Sequence, residues 1–218
     1  MSSTGFQRAR SPEAKRQREE AILQAATRLG AQHGIRSITL TDIAAAVDMH
    51  KSALLRYFET REQIFLRLTA AGWQEWSSAL QARTQGMTRS TPTVTIASAF
   101  VGTLTTRPLF CDLLAQAPMN LERNVSLEQV RAFKMVTHAE VGAIVAELRR
   151  LRPELAEIEA VDIVATATSM AGALWQMCTP TPQVAELYRS DPDLQLAVFD
   201  VGERLTRIVT ALLEGYSD

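Results

Sequence analysis

The chain has 218 residues, 46% of them hydrophobic, with 8 Pro, 10 Gly and 6% aromatics, which is enough apolar material for one large or two small domains and argues against disorder and against a turn-dense all-β fold. The formal net charge of −1 hides a split: residues 1–72 carry 11 Lys and Arg against 7 Asp and Glu, a net of +4, while the rest carries 12 against 17, a net of −5. A basic front on an acidic body suits a nucleic-acid reader with a separate regulatory domain, and the Ala, Leu, Glu, Arg and Gln richness suits an all-α chain.

Residues Met1 to Ser11 read as a basic arm in which Arg8 and Arg10 precede Lys15, Arg16 and Arg18. Such arms reach a minor groove or a phosphate backbone, although an ordinary solvated terminus also fits. No apolar signal core follows the basic residues, so a cytoplasmic location is expected. From Pro12 a helix is predicted to His33 with an apolar stripe at Ile22, Ala26 and Leu29, stopping at Gly34.

Thr39 to Phe58, TLTDIAAAVDMHKSALLRYF, is the most informative stretch. Thr39 and Asp42 have the spacing at which a hydroxyl and a carboxylate satisfy each other's backbone donors, so a helix begins there. Leu40, Ile43, Ala44 and Val47 fall on one face of it. The pattern breaks at Val47–Asp48–Met49, and a second short helix runs through Lys51, Leu54 and Phe58. Two short helices on a tight turn form a bihelical DNA-reading unit, in which the second helix offers its first residues to base edges. On pattern alone, a helical hairpin with a solvated charged face fits as well. The candidate DNA contacts are Arg8, Arg10, Lys15, Arg16, Thr39, Thr41, His50, Lys51, Ser52, Ala53, Arg56, Tyr57 and Arg61: cations for phosphates or guanine acceptors, small residues for close approach.

From about Arg18 to Leu68 the chain resembles the tetracycline-repressor (TetR) family of regulators. The residues that carry the resemblance are Ile22, Ala25, Ala26, Gly34, Thr39, Ile43, Ala44, Leu54, Tyr57, Phe58, Arg61 and Glu62. There are departures. Asp48 stands where the family usually has a turn Gly, and a short polar side chain tolerates the left-handed backbone such a turn needs. His50 stands at the usual Ser start of the recognition helix, so that helix is expected to lack a strong side-chain cap. Leu55 replaces a phosphate-touching Tyr, which shifts that contact towards Tyr57. Gly30 stands where an aromatic usually fills the small core, so another side chain must fill the gap.

A fourth helix opens at Thr60 and runs to about Ala82, joining residues 1–68, the expected DNA-binding domain, to residues 69–218, the expected ligand-binding and dimerisation domain. Helices are predicted over Pro92–Thr106 and Pro108–Ala117, then a loop over Met119–Val125. A long helix follows from a Ser126–Gln129 capping pair to Pro153, then Glu157–Cys178, and finally Asp193–Tyr216. Ile163 to Met177 is the least polar stretch but is too short to span a bilayer, so no membrane role is expected. The small-residue run of Glu157–Cys178 permits close helix approach. The resemblance implies that the last two helices pair with their copies as a homodimer, with Ala167, Ala171, Leu205, Ile208 and Leu212 in the seam; internal packing also fits that pattern.

The layout of a basic reader joined by one helix to an apolar helical body, together with the resemblance, leads us to expect an all-α, ligand-responsive regulator, a repressor released from a double-stranded DNA operator by a small mainly apolar effector. Candidate ligand contacts are Phe100, Leu104, Phe110, Leu113, Leu114, Phe133, Val141, Met170, Leu174, Trp175 and Met177, with Thr137 and His138 as polar groups; ordinary core packing explains each as well. A regulator answering to a protein partner, and a helical enzyme, are the alternatives. Against an enzyme, His33, His50 and His138 are scattered and no metalloprotease, nucleophile-elbow or phosphate-loop motif occurs. Cys111 and Cys178 lie in apolar runs without CxxC spacing and read as reduced thiols; neither a metal nor a cofactor is expected.

Overall fold

The computed structural model describes residues 12–197 and 199–216, and among these every regular element is helical. The α-helices are α1 (Pro12–His33), α2 (Leu40–Ala45), α3 (Lys51–Leu54), α4 (Arg61–Thr84), α5 (Thr93–Thr105), α6 (Pro108–Gln116), α7 (Leu127–Leu151), α8 (Glu157–Cys178), α9 (Pro182–Ser190) and α10 (Val201–Gly215). The punctuation is local chemistry. Gly34 stops α1 with a φ of 72°, a conformation that costs glycine no Cβ clash. Thr60 opens α4 by accepting the Gln63 N–H at 3.1 Å, while Gln63 Oε1 accepts the Glu59 N–H at 2.5 Å, two otherwise orphaned donors satisfied reciprocally.

Burial organises these pieces around α4. Its first turns close a small core with Ile22, Ala26, Ile35, Ile43, Leu54 and Phe58, and the helix continues unbroken past residue 68 into the body. There Trp76 stacks edge-on to Phe100 with ring centroids 5.2 Å apart, and Trp73 meets Phe110 at 5.6 Å. The Trp76 indole N–H, which costs free energy if buried unpaired, donates to Thr103 Oγ1 at 3.2 Å. The same apolar cluster extends through Ile144, Leu148, Ile163 and Ala167 to Leu205, Val209 and Leu213.

Three expectations need correction. Met119–Val125 is not a loop: a wide π turn (Ala117–Leu121) and a 3-10 turn (Glu122–Asn124) follow α6, because Leu121 is buried and the chain must wind on to bury it. The Ser126–Gln129 capping pair does not form; Ser126 has no cap hydrogen bond, and its hydroxyl donates to the Glu59 carboxylate at 3.3 Å. The expected helix Asp193–Tyr216 is split. A 3-10 segment (Pro192–Ala197) precedes α10, whose start is fixed by Asp200 accepting the Glu203 N–H at 2.6 Å, and α9 lies where no helix is expected. Val198 of that expected helix lies outside the described residues.

The helix α8 runs over all 22 residues from Glu157 to Cys178, longer than its least polar stretch, and by length and composition alone it could cross a membrane. Its apolar face instead packs within the chain against α6, α7 and α10. The expected seam residues Ala167 and Ala171 are 0% exposed, as is Leu205 on α10. A Cβ on Gly172 would stand 2.8 Å from the Ala115 backbone nitrogen of α6. The small-residue face therefore serves close packing inside one chain, and these three residues are not available to a second copy.

Candidate nucleic-acid interface and cavity

The helix-turn-helix geometry comes from a few side chains. The Asp42 carboxylate accepts the Thr39 backbone N–H at 2.8 Å and its hydroxyl at 2.7 Å, while Thr39 Oγ1 accepts the Asp42 N–H at 3.2 Å. These bonds hold the Asp42 carboxyl below its ordinary pKa, the Thr39 hydroxyl contributing most and the Thr39 N–H next. At the other end of α2, the Met49 N–H reaches Ala44 O at 2.9 Å and the Asp48 N–H reaches Ala45 O at 3.2 Å. This is a Schellman closure with Asp48 at the left-handed position, φ 52°, where glycine is usual. The recognition helix α3 is capped after all: the Ser52 N–H donates to His50 Nδ1 at 3.3 Å, and the Ser52 hydroxyl lies 2.8 Å from the same nitrogen. An imidazole can supply the acceptor that a serine hydroxyl would, which the side-chain type alone did not suggest.

Of the expected DNA contacts, Thr41, His50, Lys51, Ser52 and Arg56 are exposed, and Ala53 and Tyr57 are half-buried. Tyr57, in the turn that follows α3, borders a groove with Ala14, Gln17, Arg18 and Ala21 of α1. Lys15 and Arg16 are exposed on α1, paired with Glu19 at 3.7 Å and with Glu13. Exposed pairs of this kind are weak, and a phosphate can replace the carboxylate. Thr39 is exposed, but its hydroxyl is occupied by the cap. Arg8 and Arg10 lie outside the described residues. Arg61 points inward: its guanidinium donates to the carbonyls of Ile35 and Ile38, pairs with Glu62 at 2.8 Å, and lies 4.8 Å from the Phe65 ring centroid. With its donors spent on the chain between α1 and α2, Arg61 is a fastening and not an outward DNA contact.

The body grips this unit through α6. The gap at Gly30 is filled by Leu109, whose Cδ1 would lie 2.9 Å from a Cβ at that position. Asp112, one turn further along, is 7% exposed; its Oδ2 accepts the buried Ile35 N–H at 2.9 Å, and its Oδ1 accepts Gln176 Nε2 of α8 at 2.7 Å. One buried carboxylate thus ties the chain just after α1 to α8 of the body. Sequence reasoning missed Leu109, Asp112 and Gln176, since nothing in their local pattern reveals a partner about 70 residues away.

A cavity of about 360 Å³ lies between α4 and α7. Leu23 of α1 closes one side; α4 presents Gln63, Leu66, Arg67, Ala70, Ala71 and Gln74, and α7 presents Gln129, Ala132, Phe133 and Val136. Among the expected ligand contacts, Phe133 alone lines it. Phe100, Leu104, Phe110, Leu113 and Leu174 are buried core, the first and third packed on the tryptophans. Leu114, Thr137, Val141, Met170 and Trp175 are half-buried, whereas His138 and Met177 are exposed. The Thr137 hydroxyl is buried without a hydrogen-bond partner among the described residues.

The three histidines stay apart at the end of α1, the cap of α3 and the middle of α7. Among the described residues no cluster of three His, Cys, Asp or Glu has the arrangement of a metal site. Burial pushes the Cys111 thiol up to about 12, with Asp112 adding to the rise, and raises Cys178 as well. Neither cysteine forms a disulfide.

A capped helix-turn-helix with an exposed basic recognition helix, carried on one end of a helical body, defines a DNA-binding regulator. Residues 22–68 match the family model described as bacterial regulatory proteins, tetR family, and residues 70–218 match that of the tetracyclin repressor-like C-terminal domain. The chain belongs to the TetR family of transcriptional regulators. Solved structures share the fold at low identity. FadR of Thermus thermophilus, a TetR-family transcriptional repressor in complex with lauroyl-CoA, is 21% identical, with 90% of this chain and 94% of that chain covered at a TM-score of 0.58. The fatty acid degradation regulator FadR of Bacillus halodurans is 15% identical, with 95% and 97% covered at 0.57. PfmR, a TetR-family transcriptional regulator of Thermus thermophilus, is 16% identical, with 88% and 97% covered at 0.56. No curated protein matches the chain.

Proposed function

We propose that this regulator is a homodimeric repressor that holds a near-palindromic operator and releases it when a small, mainly apolar molecule binds the body. The observation that carries the reading is the exposed start of α3, where His50, Lys51 and Ser52 face solvent with Arg56 one turn beyond. A helix end so presented can enter a major groove, and two copies would read half-sites about 10 bp, or a multiple of that, apart. The FadR relative crystallised with lauroyl-CoA lends support to ligand response as a working model. The effector would act by its unequal affinity for two spacings of the reading heads, typically worth about 1–3 kcal/mol of coupling, and DNA must weaken the effector by the same amount.

The dimer seam in this reading uses the outward face of α8, not the buried one. Val161, Ala165, Ser169, Ala173 and Met177 recur every four residues; Val161 is half-buried and the other four are exposed, a ridge with a narrow waist for a copy of itself. Ile208 and Leu212, half-buried on α10 beside exposed Ala211, extend it. Ser169→Arg should give a folded monomer by sedimentation; a folded dimer moves the seam elsewhere.

For DNA, operator titration over a range of salt concentrations is the test. Lys51→Ala or Arg56→Ala should cost about 1–3 kcal/mol if the residue reads a base, or lower the salt slope by about one if it holds a phosphate. Both variants unchanged in affinity and slope would overturn the interface.

A further inference from the structure

We propose that the cavity between α4 and α7 is an effector site and that its ligand is an amphipathic anion: a carboxylate or phosphate head on an unbranched apolar chain. The inference rests on the ligand-responsive reading above and adds where the ligand sits and what it is.

The shape comes first. The lining of α4 runs from Gln63 to Gln74, about 16 Å at 1.5 Å per residue, so the space is long relative to its volume of about 360 Å³. Ala70, Ala71 and Ala132 border it, and larger side chains at these positions would fill part of the space. A slender chain can lie along such a lining.

The polar lining then selects the head. No acidic side chain lines the cavity; its polar groups are Arg67 and the amides of Gln63, Gln74 and Gln129. Arg67 is exposed and has no ion pair or side-chain hydrogen bond among the described residues. Gln63 is 7% exposed and its carbonyl oxygen is taken by the Glu59 N–H, which leaves its amide N–H groups for the cavity. Gln63 and Arg67 are four residues apart, neighbours on one helix face. A neutral apolar guest would displace water from these donors and give nothing back, a net cost. A cation would be repelled by the guanidinium. An anion receives charge-assisted bonds from Arg67 and a further donor from Gln63, while its chain lies along Ala70, Phe133 and Val136.

The position gives the ligand leverage. Leu23 belongs to α1 of the reading unit, whereas Phe133 and Val136 belong to the body, so one bound chain touches both.

The test is calorimetric titration of the full-length protein, below micelle concentrations, with decanoate, decyl phosphate, decan-1-ol and decylammonium. Either or both anions should bind, the alcohol about tenfold or more weakly, and the amine not measurably. Arg67→Gln should bring anion affinity down to that of the alcohol, and Ala132→Trp, on the exposed side of the slot, should abolish binding with the thermal melt preserved. No anion binding, an alcohol that binds as well as the anions, or Arg67→Gln binding them like the wild type overturns the assignment; Arg67→Gln alone decides if the Trp variant does not fold. Operator titration separates the two readings. Anion binding lost in Arg67→Gln, with operator affinity indifferent to the anion, keeps the site and removes the ligand-released repressor. Release by the anion that persists in a folded Ala132→Trp keeps the repressor and removes the site.

Discussion

Replacing Asp112 tests whether the reading unit is held to the body by one buried carboxylate. Asp112→Ala leaves the Ile35 N–H, on a residue that is 1% exposed, without an acceptor. A fully buried donor stranded in this way costs about 1–3 kcal/mol. Gln176 also loses its acceptor, but it is half-buried and can turn to water, so its loss adds about 1 kcal/mol at most. The sum is about 1–4 kcal/mol. Asp112→Asn should cost about 1 kcal/mol or less, because its oxygen can serve Ile35 while its nitrogen faces Gln176, whose amide can flip to present oxygen. Urea unfolding at pH 7 reads both numbers from the midpoints, provided the slope is unchanged. Adding Gln176→Ala to Asp112→Ala should change little further, and hydrogen exchange at Ile35 should accelerate in Asp112→Ala before exchange in α8 does. The reasoning fails if Asp112→Ala lies within about 0.5 kcal/mol of wild type, or if the two alanine substitutions are simply additive to that precision.

Further outcomes are expected in the same unit. Asp48→Ala should destabilise by about 1 kcal/mol, because alanine pays the full left-handed strain, whereas Asp48→Gly should melt no lower than wild type; two equal melts would discount the strain at φ 52°. Gly30→Phe should cost about 1–3 kcal/mol by overpacking against Leu109, and Leu109→Ala in the same chain should recover at least part of it; a double variant worse than the sum of the singles removes the notch argument. Because the Thr39 hydroxyl depresses the Asp42 pKa below 3.8, its contribution is complete above that value and is lost as pH falls through the lower folded pKa. Thr39→Ala should therefore be less stable than wild type at pH 7, with the gap closing in acid; a gap constant down to about pH 2 would contradict the linkage.

What the sequence made legible was whatever is written within a few residues. The Thr39–Asp42 cap, the Gly34 stop, the left-handed Asp48 and the bounds of α8 depend on neighbours in the chain, and the structure has all of them where the spacing put them. The split before α10 was legible too, in Asp200 with Glu203 three residues on and in Pro182 ahead of Val184, Leu187 and Tyr188, but the apolar repeat across it masked the cap. What was not legible depends on which side of a helix meets which partner. Ala167 and Ala173 are alike as residues; α6 covers the first side of α8 and leaves the second open. The cavity was hidden for the same reason, since the alanines and glutamines that line it look like ordinary helix formers.

Each face of α6 is committed to a different neighbour: Leu109 to Gly30, Phe110 to Trp73, Asp112 to Ile35 and Gln176, Ala115 to Gly172. That limits how far the two halves can be exchanged between relatives. A reading head grafted from a relative with the family's usual aromatic at position 30 would drive that ring into Leu109, however well its recognition helix suits the new operator. Head-swapped chimaeras of this regulator should therefore melt higher when Leu109 is changed along with the head, and the best-fitting transferable unit is discontinuous in sequence: the reading head together with the opening turns of α6.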